Sequence, residues 1–111
     1  MDKLEKYRNI VEKLLREYAA IPYSYGDIER RTIFDRENDS YLLYIVGWID
    51  QRRYHGINTH IDIINGKIYI QHDGTEEGIA DDLEREGIPK SDIVLAFRAP
   101  ELRKYTEYAV V

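Results

Sequence analysis

The chain has 111 residues, the size of one domain, and hydrophobic residues make up 43% of it, too many for a disordered chain. Its net charge of -5 argues against a dedicated non-specific binder of nucleic acid, because such proteins present a basic surface. It has no cysteine, which excludes disulfides, thiol nucleophiles and cysteine zinc sites. No apolar run approaches the roughly 20 residues that span a bilayer, and residues 1–6 lack the apolar stretch of a signal peptide, so we expect a cytoplasmic protein.

The first 20 residues predict an amphipathic helix. Their apolar side chains recur every three or four positions and so fall on one face. These residues are Leu4, Tyr7, Val11, Leu14 and Tyr18, with Ile10 and Leu15 widening the stripe. Asp2 and Glu5 fit a capping box at the start of the helix. Ile21 and Pro22 predict its end, because the residue before a proline is pushed away from helical angles.

From Gly26 the apolar period shortens to two residues, which predicts a meander of antiparallel strands. We expect strands near 28–34 and 40–48, a long third strand that ends at Ile63 after a turn near 49–51, and a fourth over 67–72. Both alternate sets of 40–48 are apolar, which predicts a strand covered on both faces. Asn65-Gly66 predicts a two-residue type I′ hairpin.

The second half of the chain predicts a helix, a short strand and a last short helix. Asp73 to Glu77 is expected to open the helix, with Asp73 or Thr75 as its cap, and Gly87 is expected to end it. Residues 93–97 predict a short strand whose place in the sheet stays open, and Pro100 begins the last helix. The whole is predicted to be one α+β domain over 1–111: an N-terminal helix, a four-stranded antiparallel meander, then helix, short strand and short helix.

His60, Asp62 and His72 have the residue types of a metal site. If Asn65-Gly66 is the loop, pairing outward from it sets His60 opposite Gln71 and Thr59 opposite His72. Because neighbours in a strand alternate faces, the two histidines should then point to opposite sides of the sheet. We therefore expect no metal and no other cofactor.

The sheet face that carries His60 mixes polar and apolar side chains. We expect it to include Asp62, Tyr69, Tyr41 and Ile45. Two explanations stay open: the tail helices cover this face, or it is the surface for a partner or a second copy of the chain.

The segment 73–86 concentrates negative charge, with seven acids against Arg85. It is either a solvated helix face or a docking site for a basic partner, with Asp81 and Asp82 as candidate contacts.

Catalysis and direct nucleic-acid binding have weaker support. Arg52 and Arg53 are candidates for DNA contact together with Tyr69, although such clusters are more often ion-paired or solvated. No nucleophile is matched with a base, so we assign no catalytic residue. The alternative that stays open is a nuclease or hydrolase that uses His60 and Asp62.

Short segments follow one another in a fixed order along nearly the whole chain. They are Ser24-Tyr25-Gly26-Asp27-Ile28-Glu29, Gly47-Trp48 with Arg52-Arg53, His60-Ile61-Asp62-Ile63, Gly66-Lys67-Ile68, Gln71, Asp73-Gly74-Thr75-Glu76, Gly78-Ile79-Ala80, Gly87-Ile88-Pro89-Lys90, Asp92-Ile93-Val94-Leu95, and Pro100-Glu101 with Arg103-Lys104-Tyr105-Thr106. This ordered set resembles the XisI family, the fdxN-element excision controlling factors of cyanobacteria.

The resemblance implies a genetic role more than a chemical one. Family members act beside a companion, XisH, and a site-specific recombinase that removes a DNA element, and no catalytic residues carry over. The resemblance therefore implies a non-enzymatic accessory protein with an XisH-like partner, while a homodimer and direct DNA contact stay open.

Overall fold

The computed structural model describes residues 2–23 and 26–111, so Met1 and the Ser24-Tyr25 start of the first family segment lie outside the described residues. The helices are α1 (Lys3–Ala19) and α2 (Ile79–Arg85), and short 3₁₀ turns cover Lys90–Asp92 and Pro100–Tyr105. The strands are β1 (Asp27–Asp35), β2 (Ser40–Ile49), β3 (Arg52–Ile64), β4 (Lys67–Asp73) and β5 (Ile93–Leu95). The predicted α+β class is confirmed.

The N-terminal helix forms as its periodicity predicts. Asp2 caps it, because the carboxylate Oδ1 accepts a hydrogen bond of 2.8 Å from the backbone N–H of Glu5. The middle of its apolar stripe is buried, with Val11 and Leu15 fully inaccessible, and Leu4 and Tyr18 at its two ends are partly buried against the same core. The helix ends at Ala19, just before the Ile21-Pro22 pair.

The five strands follow chain order across one sheet. β1 to β4 form the expected antiparallel meander. The hairpin at Asn65-Gly66 is confirmed: Ile64 pairs with Lys67, and positive φ angles of 51° and 77° at the two loop residues are those of a type I′ turn. The predicted short strand is β5, which joins the edge of the sheet parallel to β4 after the α2 crossover, so the sheet has five strands rather than four.

Two β-bulges change which side chains share a face. In β3 the extra residue is Asn58, because Leu43 pairs with Thr59 while Tyr44 pairs with Ile57. In β4 the extra residue is Gln71. Each bulge shifts the pairing by one residue. Because successive side chains of a strand point to opposite faces of the sheet, this shift moves every following side chain to the other face.

Both helices pack on the same face of the sheet. The buried cluster joins α1 and α2 to the strand residues that point toward them, which are Tyr41, Leu43, Ile61, Ile63, Ile68, Ile70 and Ile93. The expectation that β2 is covered on both faces is therefore wrong. One face of β2 lies under α1, and the side chains of the other face lie outside the buried cluster.

The second helix is shorter than expected and begins later, at Ile79 rather than within 73–77. Asp73 still serves its start, because Oδ2 accepts a 2.8 Å bond from the backbone N–H of Ile79 while Oδ1 accepts from Thr75. At the other end Gly87 adopts φ 99°, and the N–H of Ile88 donates to the carbonyl of Leu83, which is the predicted glycine termination in its Schellman form. Neither helix in the described residues has the length and apolar character that a bilayer crossing requires.

Candidate functional site

The face of the sheet turned away from the helices presents a stripe of apolar side chains, and we call it the open face. Strand pairing sets six apolar residues side by side on it: Ile33, Leu42, Tyr44, Val46, Trp48 and Ile57. Ile33, Trp48 and Ile57 are 51%, 47% and 51% exposed, and the other three are partly exposed. An apolar patch of this kind is typical of an interaction surface.

A polar network adjoins this stripe where β2, β3 and β4 run together. Asp62 Oδ1 accepts a hydrogen bond of 2.6 Å from Ser40 Oγ and lies 2.9 Å from His60 Nε2, and Asp62 Oδ2 accepts one of 3.2 Å from Gln71 Nε2. The sequence therefore correctly placed His60 and Asp62 on one face. Because Ser40 donates to the carboxylate rather than to the imidazole, the network lacks the nucleophile–base contact of hydrolases. Its geometry links three strands.

The expected separation of the two histidines is wrong. The bulge at Gln71 shifts the register so that His60 pairs directly with His72, not with Gln71. The two rings nevertheless have separate partners, since His72 Nδ1 lies 3.0 Å from the carbonyl oxygen of Asn58. Within the described residues, no three His, Asp or Glu side chains are arranged to hold a metal ion.

Tyr41 and Ile45 do not lie on the open face, which corrects the predicted contact set. Without a bulge, pairing outward from the turn between β2 and β3 would set Tyr41 opposite His60. The extra residue at Asn58 shifts this pairing by one position, so Tyr41 lies opposite Ile61 on the helix side of the sheet. Tyr41 is fully buried, burial raises the pKa of its phenol, and its hydroxyl donates to Asp39 at 2.9 Å. It belongs to the core.

Most of the acids in 73–86 hold the fold together. Asp82 accepts a hydrogen bond from the Tyr18 hydroxyl and pairs with Arg85. Glu84 accepts from the Tyr108 hydroxyl at 2.7 Å. Asp73 serves α2 as described, and Glu86 lies 3.0 Å from Lys13 Nζ. Asp82 therefore supports the fold. The acids of this segment that stay exposed, and so stay candidates for docking, are Glu76, Glu77 and Asp81.

The structure separates the residues proposed for DNA contact. Arg53 lies over the ring of Trp48 at 5.0 Å, on the open face. Arg52 lies over Tyr54 at 5.5 Å and points to the other face by strand alternation. Tyr69 pairs with Asp62, which is nine residues from Arg53 along β3, or about 30 Å at the usual rise of a strand. These three residues do not form one binding surface.

A second exposed apolar surface, which sequence reasoning missed, is built by the C-terminal segment. Phe97, Leu102 and Tyr105 are 47%, 50% and 77% exposed, and we call this group with Arg98 and Lys104 the C-terminal surface. The two cations lie over aromatic rings, Arg98 over Phe97 at 5.6 Å and Lys104 over Tyr105 at 5.2 Å. The alternation of aromatic and basic residues in the sequence was the available signal.

The C-terminal surface is held in place by main-chain contacts. Ala109 bridges to Val94 at the outer edge of β5, and its N–H donates to the carbonyl of Ile93 at 2.9 Å. Arg103 donates to the carbonyl oxygens of Ala96 and Arg98. The segment is therefore a fixed part of the sheet edge.

The helices on one face and the open apolar stripe on the other define the class: a small α+β protein built on a mixed five-stranded sheet. The family model described as XisI protein matches residues 1–110, and the chain belongs to the XisI family. No curated protein matches the chain significantly.

Two solved structures are similar over almost their full length. A XisI-like protein from Anabaena variabilis is 40% identical with a TM-score of 0.90, and the match covers 97% of this chain and 99% of that one. The fdxN element excision controlling factor XisI from Anabaena variabilis is 36% identical with a TM-score of 0.84, covering 99% of this chain and 100% of that one.

Proposed function

We propose that this protein is a non-enzymatic accessory factor that helps control the excision of a DNA element by binding an XisH-like protein. Membership of the XisI family supports the genetic role, since a relative of the same length is named an excision controlling factor. The chemistry of the molecule supports the binding role, because its exposed features are apolar surfaces with charged borders, the usual anatomy of a protein interface.

The observation that carries the partner proposal is the C-terminal surface. Its exposed aromatic rings carry Arg98 and Lys104 over them, in a protein whose net charge is -5. Two copies of a basic surface repel each other, so this one fits an acidic surface on a different protein. An exposed aromatic ring such as Tyr105 is a typical anchor for such a contact.

Charge reversal at the C-terminal surface tests this proposal. Binding of an XisH-like protein would be measured by surface plasmon resonance at low and high salt. Lys104→Glu should slow association and weaken its salt dependence, and Tyr105→Ala should speed dissociation, each raising Kd about tenfold. Lys6→Glu is the matched control, because Lys6 is an exposed lysine on α1 and should leave binding unchanged.

Three results would contradict the proposal. The XisH-like protein fails to bind, Lys104→Glu and Lys6→Glu behave alike, or duplex DNA alone binds the wild type with a Kd that Lys104→Glu raises. The last result would show that the C-terminal surface binds nucleic acid instead of a protein.

Tyr69 and Asp81 stay predicted partner contacts, and Tyr69 lies on β4 beside β5, the strand that precedes the C-terminal surface. Tyr69 pairs with Val94 of β5, and Lys67, two residues before it, donates to the main-chain oxygen of Val111 at 2.5 Å. Tyr69→Ala should speed dissociation of the partner, whereas Asp81→Lys should change its association rate. If neither rate changes in the same resonance experiment, the partner does not reach these residues.

A hydrolase is the second candidate, and the 2.9 Å contact between His60 and Asp62 is the observation that favours it. We expect His60→Ala to leave any nuclease activity of the reconstituted complex unchanged. His55→Ala is the matched control, since His55 is exposed on the same strand and face. A hundredfold loss in His60→Ala with full activity in His55→Ala would establish the enzyme instead.

A further inference from the structure

We infer that the open face is the contact surface of a symmetric homodimer in which two copies of the sheet stack face to face. This goes beyond the proposed function and does not depend on it, since the C-terminal surface that carries the partner proposal shares no residue with the open face. Three observations support it: the composition of the face, its area and the order of its charges.

The apolar side chains of the open face form a compact centre. Leu42, Tyr44 and Val46 follow one another on β2, with Ile33 on one side and Ile57 on the other. They lie outside the buried cluster of the monomer, although their residue types are those of a core. A second sheet packed at about 10 Å would give them the sandwich environment that such residues normally occupy.

The area of the face matches that of a stable dimer. β2 has 10 residues and β3 has 13, which at about 3.3 Å per residue makes the face roughly 33–43 Å long. Four strands at about 4.8 Å make it about 19 Å wide. Because β1 has 9 residues and β4 has 7, the four strands together cover roughly 600 Å², which reaches the lower end of a standard protein interface at about 600 Å² per partner.

The charges on the face are arranged so that the face complements itself. Strand pairing aligns Asp27, Trp48 and Arg53 across β1, β2 and β3, and in the same way Glu29 and His55 flank Val46. Within β1, Glu29 already pairs with Arg31 at 2.6 Å, so the charges that face each other across the stripe are those of Asp27 on β1 and Arg53 on β3. A two-fold axis along β2 places β1 of one copy over β3 of the other, so that Asp27 faces Arg53 of the second copy.

Mass measurement with a charge swap tests the dimer. Sedimentation equilibrium on the full chain, from about 1 to 100 μM, should give the wild type twice the chain mass of 13.2 kDa. Asp27→Arg and Arg53→Asp should each raise the dimer dissociation constant about tenfold, and the double variant should restore it to within about threefold of wild type. Val46→Asp at the centre should give the monomer mass.

The control is Asp81→Arg, an exposed reversal on the helix side of the molecule that should leave the mass unchanged. Circular dichroism checks that each variant is folded. A wild type that stays monomeric at 100 μM overturns the inference, and so does a dimer that the charge swap fails to rescue. Either result leaves the XisH-like partner proposal standing, because that proposal is tested separately by Lys104→Glu.

Discussion

Asp39→Asn tests how α1 is attached to the turn between β1 and β2. The Asp39 carboxylate accepts two bonds from the Arg8 guanidinium, at 2.7 Å and 3.1 Å, and one of 2.9 Å from the Tyr41 hydroxyl. The side chains of Asp39 and Arg8 are 17% and 23% exposed, so water screens this pair only in part. Asparagine keeps the size of the side chain and tolerates the positive φ of 52° at this position, so the substitution removes the charge and one of the two acceptor oxygens without changing the shape of the site.

The expected cost at pH 7 is about 1–3 kcal/mol, the usual contribution of hydrogen bonds to a charged group. The hydrogen bonds from Arg8 are the main reason that the pKa of Asp39 lies below its ordinary value; burial opposes them, and Tyr41 adds to them. A carboxyl whose pKa is lowered by folding stabilises the protein above its unfolded pKa of about 4, and this contribution is lost as the pH falls through the folded value. The difference between Asp39→Asn and wild type should therefore shrink progressively as the pH falls below about 4.

Urea unfolding followed by circular dichroism measures this effect at one fixed protein concentration. With a slope of about 1–3 kcal/mol per molar urea, the midpoint should fall by about 1 M at pH 7. Asp50→Asn is the matched control, because Asp50 has a similar φ of 54° but lies exposed in a two-residue turn. An unchanged midpoint in Asp39→Asn, or a difference as wide at pH 3 as at pH 7, would refute the argument.

In each of two further pairs of substitutions, we expect one variant to lower the stability measured by thermal unfolding and the other not to lower it. A Cβ at Gly74 would lie 2.6 Å from the carbonyl oxygen of Asn58, so Gly74→Ala should destabilise the protein by about 1–3 kcal/mol. Gly56→Ala meets open space and should cost nothing or add up to about 1 kcal/mol; equal effects would show that the Gly74 contact does not matter. Tyr7→Phe loses a 2.5 Å hydrogen bond to Asp92 and should cost about 1 kcal/mol, whereas Tyr105→Phe, at a residue 77% exposed, should be neutral. Equal unfolding temperatures for the two tyrosine variants would show that the Tyr7 hydroxyl contributes no stability.

The interaction surfaces could be predicted only in part. His60 and Asp62 share a face because they are two residues apart in one strand, a relation that the sequence contains. Tyr41 was assigned to that face wrongly, because its neighbours depend on pairing between two strands and on a bulge that has no clear signature in the chain. The sequence of 73–86 predicts acids that are exposed to solvent or to a partner. Asp82 instead accepts a hydrogen bond from Tyr18, which is 64 residues away in sequence.

The sequence by itself determined the elements whose cause is local. The helix Lys3–Ala19 follows from its apolar period and the Asp2 cap, the hairpin from Asn65-Gly66, and the end of α2 from Gly87. Only the tertiary structure decided that both helices cover one face, that β5 joins parallel to β4, and that the bulge at Asn58 reverses the faces of β3. The physical reason is range: a cap or a tight turn depends on neighbours within a few residues, whereas register and layer choice depend on the burial of side chains from distant parts of the chain.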